Sequence, residues 1–171
     1  MKKSKPAVGI VMGSDSDWPL VKECADTLRG FGVGFEARVL SAHRTPEAAA
    51  AYAQSAARRG LKILIAAAGG AAHLGGVVAA HTILPVIGIP IKGGALNGVD
   101  ALLATLQMPA GIPVATVTLG SAGPINAALL AVQILAVGQP ALARKMAAHK
   151  RGLRRKVAQG DRKVQAALQQ S

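Results

Sequence analysis

Aromatic side chains are nearly missing from this chain: one Trp, one Tyr and two Phe in 171 residues. A surface that stacks the bases of single-stranded nucleic acid needs several such rings, so that function is disfavoured. There is one cysteine, Cys24, which excludes a disulfide framework and any multi-cysteine metal knuckle. Acids are scarce, eight against twenty Lys and Arg, for a net charge of +12. Hydrophobic residues reach 51%, which rules out disorder as the main state. With so few rings the core has to be built from Ala, Val, Leu and Ile.

The excess positive charge is confined to the ends. Lys2, Lys3 and Lys5 open the chain, and residues 139–171 hold nine basic residues against one acid, Asp161. Residues 6–138 carry eight basic residues and seven acids, so the body is almost neutral. A run such as Lys150-Arg151-Gly152-Leu153-Arg154-Arg155-Lys156 usually forms a solvated helix face or a frayed tail. Nucleic acid is therefore not expected as the main partner.

Two long stretches hold no Asp, Glu, Lys or Arg: Ile63–Ile91, 29 residues, and Ala101–Ala143, 43 residues. Gly120-Ser121-Ala122-Gly123-Pro124 interrupts the second, and the run Ile125–Val137 is too short for the about 20 apolar residues of a membrane span. The apolar run after Lys5 ends in Asp15 and Asp17 without a cleavage pattern, so it reads as a buried strand and not a signal peptide. Uncharged helices in a chain of this length leave no face for water. That predicts a homo-oligomer with apolar contacts.

Apolar runs alternate with helical patterns. Strands are expected at Ala7–Met12, Phe35–Leu40, Leu61–Ala68, Pro85–Ile89 and Val114–Leu119. Between them the spacing predicts helices from about Asp17 to Gly32, Thr45 to Gly60, Ala71 to Ala80 and Val99 to Gln107, followed by Pro124–Val137 and a basic helix opened by Pro140. Val21, Cys24, Ala25, Leu28 and Phe31 form the inward face of the first helix. Thr45-Pro46-Glu47 sets a cap, a proline and an acid in helix-start order. Repeated strand–helix units imply an α/β fold, a parallel sheet between two helical layers. No linker divides it: the division expected is an α/β domain over 1–143 and a basic helical tail over 144–171.

In such sheets ligands bind beyond the carboxyl ends of the strands, where three loops carry polar groups. The first, Gly13-Ser14-Asp15-Ser16-Asp17, offers backbone N–H groups and hydroxyls at a helix start, a phosphate-holding arrangement. It is not GxGxxG, which disfavours a dinucleotide. Asp17 either caps the helix or bonds ribose hydroxyls, or does both. An Asp-x-Asp phosphatase would need its first Asp directly at the strand end, and Gly13-Ser14 intervene. The second loop, Ser41-Ala42-His43-Arg44, sets an imidazole able to act as acid and base beside a guanidinium able to grip phosphate. The third, Gly69-Gly70-Ala71-Ala72-His73-Leu74, adds a histidine among residues small enough for close backbone approach. His73 reads equally well as a structural helix-start residue. His43, His73 and His81 do not have a metal-ligand spacing, and Cys24 reads as inert core.

Longer motifs connect these loops: GSDSD at 13–17, SAHRTP at 41–46, AGGAAHL at 68–74, PVIGIP at 85–90, GVDALL at 98–103, QMPAGIPVAT at 107–116 and GSAGPINAALLA at 120–131. Through them residues 7–137 resemble the PurE family, the bacterial N5-carboxyaminoimidazole ribonucleotide mutases of purine biosynthesis. The resemblance implies a flavodoxin-like three-layer fold, a cytoplasmic homo-octamer, and neither cofactor nor metal. It maps the catalytic histidine onto His43 and substrate contacts onto Ser14, Asp17 and Arg44. The loop with the second histidine maps onto Gly69, Ala72, His73 and Leu74; Gly13, Ser16, Ser41 and Ala42 complete the expected substrate-binding set. The family's reaction moves a carboxylate from an exocyclic nitrogen to C4 of the imidazole, and a pocket lined by Ser41, Gly69 and Ala72 would retain the CO2. Gly75, where the family has Pro, Lys92-Gly93-Gly94, where it tends to carry a Ser-containing segment, and the basic tail depart from its pattern. Two other readings remain: a carboxylase using free CO2 on aminoimidazole ribonucleotide or another ring, and a non-catalytic nucleotide- or RNA-binding paralogue.

Overall fold

The computed structural model describes residues 5–169. Five parallel strands form one sheet in the order β2-β1-β3-β4-β5. They are β1 (Val8–Met12), β2 (Phe35–Val39), β3 (Ile63–Gly69), β4 (Val86–Ile91) and β5 (Ala115–Thr116). The helices are α1 (Trp18–Phe31), α2 (Pro46–Ala56), α3 (Leu74–Ala80), α4 (Val99–Leu106), α5 (Ala122–Ala136) and α6 (Pro140–Leu168). This is the flavodoxin-like topology, in which the connections leaving β1 and β3 part company and open a crevice at the strand ends.

The central strands are buried on both faces, as continuous apolar runs require. Every residue of β1 and β4 is buried. On one face Val11, Leu64, Ala66 and Val86 pack with Ala49, Tyr52, Ala53 and Ala56 of α2 and with Leu74 and Val78 of α3. The alternate residues Ile10, Ile63, Ile65 and Ile87 are fully covered as well. β2 is an edge strand, half-buried to exposed. Its Glu36 accepts a hydrogen bond from Tyr52 Oη at 2.8 Å and pairs with Arg59, whose guanidinium lies 4.4 Å from the Tyr52 ring centre. A Cβ at Gly9 would collide with Tyr52 Oη, so the bare backbone of β1 is what lets this link close over the sheet.

The differences from the sequence pattern have local causes. β5 is two residues long, because Val117 donates the last bond to Gly88 O at 3.1 Å and the chain then turns toward Gly120, whose φ is +89°. α2 stops at Ala56, and a turn runs to Gly60 with φ +95°. α3 starts at Leu74 because Gly70 is left-handed (φ +60°) and the His73 N–H bonds back to Ala71 O at 2.8 Å. Phe31 is only half-buried, while Val21, Cys24, Ala25 and Leu28 are inward as expected. Burial pushes the Cys24 thiol up to about 12, well away from the reactive thiolate.

The chain divides into two compact units, one ending at Ala131 and one starting at Val132. The first holds the sheet and every loop discussed above. In the second, α6 runs unbroken from Pro140 to Leu168, so residue 144 lies inside it.

Candidate active site

The loops that leave β1, β2 and β3 enclose a cavity of about 450 Å³, lined by Gly13, Ser14, Asp17, Ser41, Ala42, His43, Arg44, Gly69, Ala71 and Leu74. It lies at the crevice the topology predicts, and its volume suits a small metabolite. Of the twelve residues singled out from sequence, nine line it. Ser16 stands behind Ser14, donating from Oγ to Ser14 Oγ at 2.8 Å. Ala72 is buried and off the wall; the left-handed turn at Gly70 presents Ala71 there instead. His73 is off the wall too, but it touches a residue that is on it.

That contact is the central feature of the site. His43 Nε2 and His73 Nδ1 are 2.8 Å apart, with the rings edge-to-face at 86°. One ring donates and the other accepts, so two protons cannot both sit between these nitrogens. Ser41 shapes the loop that aims His43. Its hydroxyl accepts from the N–H groups of His43 at 3.3 Å and Arg44 at 3.1 Å. Thr45 stands at the expected cap position of α2, yet its side chain makes no capping bond. Its Oγ1 accepts instead from the Ser41 N–H at 2.9 Å and donates to Ser41 O at 3.2 Å, closing the loop on itself.

The Arg44 guanidinium donates to Gly13 O at 2.8 Å and so ties the second loop to the first. On the same cavity wall Ser14 caps the short 3-10 turn Asp15–Asp17 that leads into α1, and Ser16 lies within that turn. A guanidinium and hydroxyls ahead of a helix are groups able to hold a phosphate.

Asp17 occupies the residue before α1 without a side-chain capping bond. Its carboxyl is pushed above the ordinary carboxylate range, mainly by burial; a hydrogen bond with the Ser14 backbone opposes this and Asp15 adds to it. Such a group binds its proton more tightly folded than unfolded, so stability is present at low pH and is lost as pH rises through the window between the two pKa values. Asp17→Asn is therefore expected to raise Tm at neutral pH, with the gain shrinking on acidification. Thermal melts of both proteins across pH check this; a variant that is less stable at neutral pH would make Asp17 a structural cap.

Among the described residues no three His, Cys, Asp or Glu side chains are grouped to hold a metal ion.

Comparison with known proteins bears on the family and the fold. A family model described as AIR carboxylase matches residues 7–156. The chain is 55% identical to the N5-carboxyaminoimidazole ribonucleotide mutase of Pyrococcus horikoshii, over 92% of this chain and 88% of that protein. It is 53% identical to the same-named protein of Mycobacterium tuberculosis, over 94% and 91%. The crystal structure of Treponema denticola PurE superposes with a TM-score of 0.84 at 31% identity, covering 92% of this chain and 98% of that one.

Proposed function

The chain belongs to the AIR carboxylase family, and from that premise we propose that it is an isomerase of purine biosynthesis converting N5-carboxyaminoimidazole ribonucleotide to 4-carboxy-5-aminoimidazole ribonucleotide. The observation that carries the reading is His43 on the wall of a cavity that Ser14, Arg44 and Asp17 also line. An imidazole thus shares one cavity with groups whose chemistry suits a ribose phosphate.

Each group takes a role its chemistry allows. Arg44 and the Ser14 hydroxyl hold the phosphate, and Asp17 accepts from the ribose hydroxyls. His43 works twice. Protonated, it gives its proton to the exocyclic nitrogen; the N–C bond of the carbamate breaks and CO2 leaves. The C4 carbon, made nucleophilic by the amino group, then attacks CO2 and forms the new C–C bond. Neutral His43 takes the C4 proton and the ring becomes aromatic again. The proton given equals the proton taken, so no outside acid or base is needed. His73 engages Nε2 of His43, which leaves Nδ1 as the nitrogen that exchanges the proton. Small residues at Gly69 and Ala71 keep free CO2 against the ring between the two steps, and that enforced proximity supplies much of the rate.

The test is the ultraviolet absorbance change when the purified protein meets N5-carboxyaminoimidazole ribonucleotide, beside a second assay with aminoimidazole ribonucleotide and bicarbonate. Turnover of the carbamate alone supports the mutase; turnover only with bicarbonate makes it a carboxylase and overturns the reading.

The assembly is proposed to be a homo-octamer. Val99, Leu103 and Leu106 share one face of α4 with half or more of their surface exposed, in a stretch whose helices hold only Asp100 as a charge over residues 99–143. Apolar side chains in that setting need a protein partner. A clean monomer on size-exclusion chromatography would remove the proposal. Among the described residues no helix is long and apolar enough to cross a membrane.

A further inference from the structure

The basic residues at the end of the chain form an ordered pattern and not a frayed tail. α6 carries nine Lys and Arg, and Asp161 is its single acid. At about 100° and 1.5 Å per residue, Arg144, Arg151, Arg155 and Arg162 fall within an arc of about 40° and span about 27 Å. Lys156 and Lys163 form a second row, about 110° further round the axis and in line with Lys145, while Lys150 and Arg154 stand on the far side of the arginine row. Between the rows lie Ala148, Gly152, Gln159 and Ala166, small apart from one glutamine. All six cations are exposed. The apolar residues Leu142, Met146, Leu153, Val157, Val164 and Leu168 occupy the opposite arc. Arg162 and Lys163 lie beyond residue 156, where the match to the family ends.

We propose that α6 docks in the major groove of duplex DNA, its small residues toward the floor and its arginine and lysine rows on the phosphates of the two walls. The major groove of B-form DNA, about 12 Å wide, admits an α-helix; that of A-form RNA is too narrow. The floor row holds one side chain able to read a base edge, Gln159, so binding is driven by the backbone and independent of sequence. α6 has no Trp or Phe to anchor it in a lipid interface, and laying its apolar arc on a membrane turns the arginine row away from the headgroups.

The test uses the full chain and a labelled duplex DNA of arbitrary sequence, with binding read by fluorescence anisotropy across a salt series. Each phosphate neutralised contributes about −0.9 to the slope of log K against log salt, so six cations predict a slope near about −5. A variant with Arg144, Arg151, Arg155 and Arg162 all changed to Gln is expected to lose about 3 to 4 of that slope. Helical circular dichroism and mutase activity stay unchanged, since glutamine is a good helix former. Ala148→Glu, placing bulk and negative charge on the floor, is expected to weaken duplex binding as well. Equal binding by wild type and the four-site variant, or no binding by wild type at physiological salt, overturns the proposal. So does binding of single-stranded RNA or anionic vesicles as tight as that of the duplex.

Discussion

Replacing His43 by Asn is expected to lower kcat by about 10²- to 10⁴-fold while KM moves only a few-fold. Asparagine keeps a polar group of similar reach but has no titratable proton to give to the exocyclic nitrogen or to remove from C4. The phosphate and ribose contacts lie on Ser14, Asp17 and Arg44, so ground-state binding survives. Steady-state absorbance kinetics on wild type and variant give both constants. If His43→Asn retains near-wild-type kcat, the proton path runs elsewhere, although the family assignment stands.

The loop positions could be read from sequence because two of them stand where an unbroken apolar run stops, while the third follows Phe35–Leu40, where Glu36 and Arg38 alternate with apolar residues as on a half-exposed strand. The runs ending at Met12, Leu40 and Ala68 are long enough to be strands and too short to be helices, so the residues after them had to lie at the carboxyl end of a parallel sheet. β5 escaped the same reading: pairing ends after two residues because of the turn toward Gly120, a tertiary event that a β-branched run does not encode. The contact between His43 and His73 was hidden for another reason. Thirty residues separate them, and only the register that sets Met12 beside both Val39 and Ala67 brings their loops together. The exchange of Ala71 for Ala72 on the wall follows from the left-handed Gly70; Gly69-Gly70 signals a turn without fixing which alanine faces the ligand. Thr45 shows how composition can name a cap correctly in position and wrongly in partner, since its hydroxyl serves Ser41 and not the helix.

Arg44→Met is expected to raise KM for the ribonucleotide by about 100-fold, in line with the 2–5 kcal/mol typical of truncating one partner of a close charge pair, with little change in Tm. Arg44 is exposed, and among the described residues its side chain reaches another loop through the bond to Gly13 O, so losing it costs the fold little. Binding loses more, because a guanidinium grips two phosphate oxygens at once while its anchor on Gly13 holds it in place. Arg44→Lys restores the charge without the fork, and its KM is expected to fall between those of Met and Arg. Steady-state kinetics with all three proteins, repeated at raised salt, check this. The wild-type advantage should shrink with salt, as for any partly exposed charge pair. A drop in kcat at constant KM would instead assign Arg44 to the position of His43, its neighbour in the chain, and leave the phosphate to Ser14 and the start of α1.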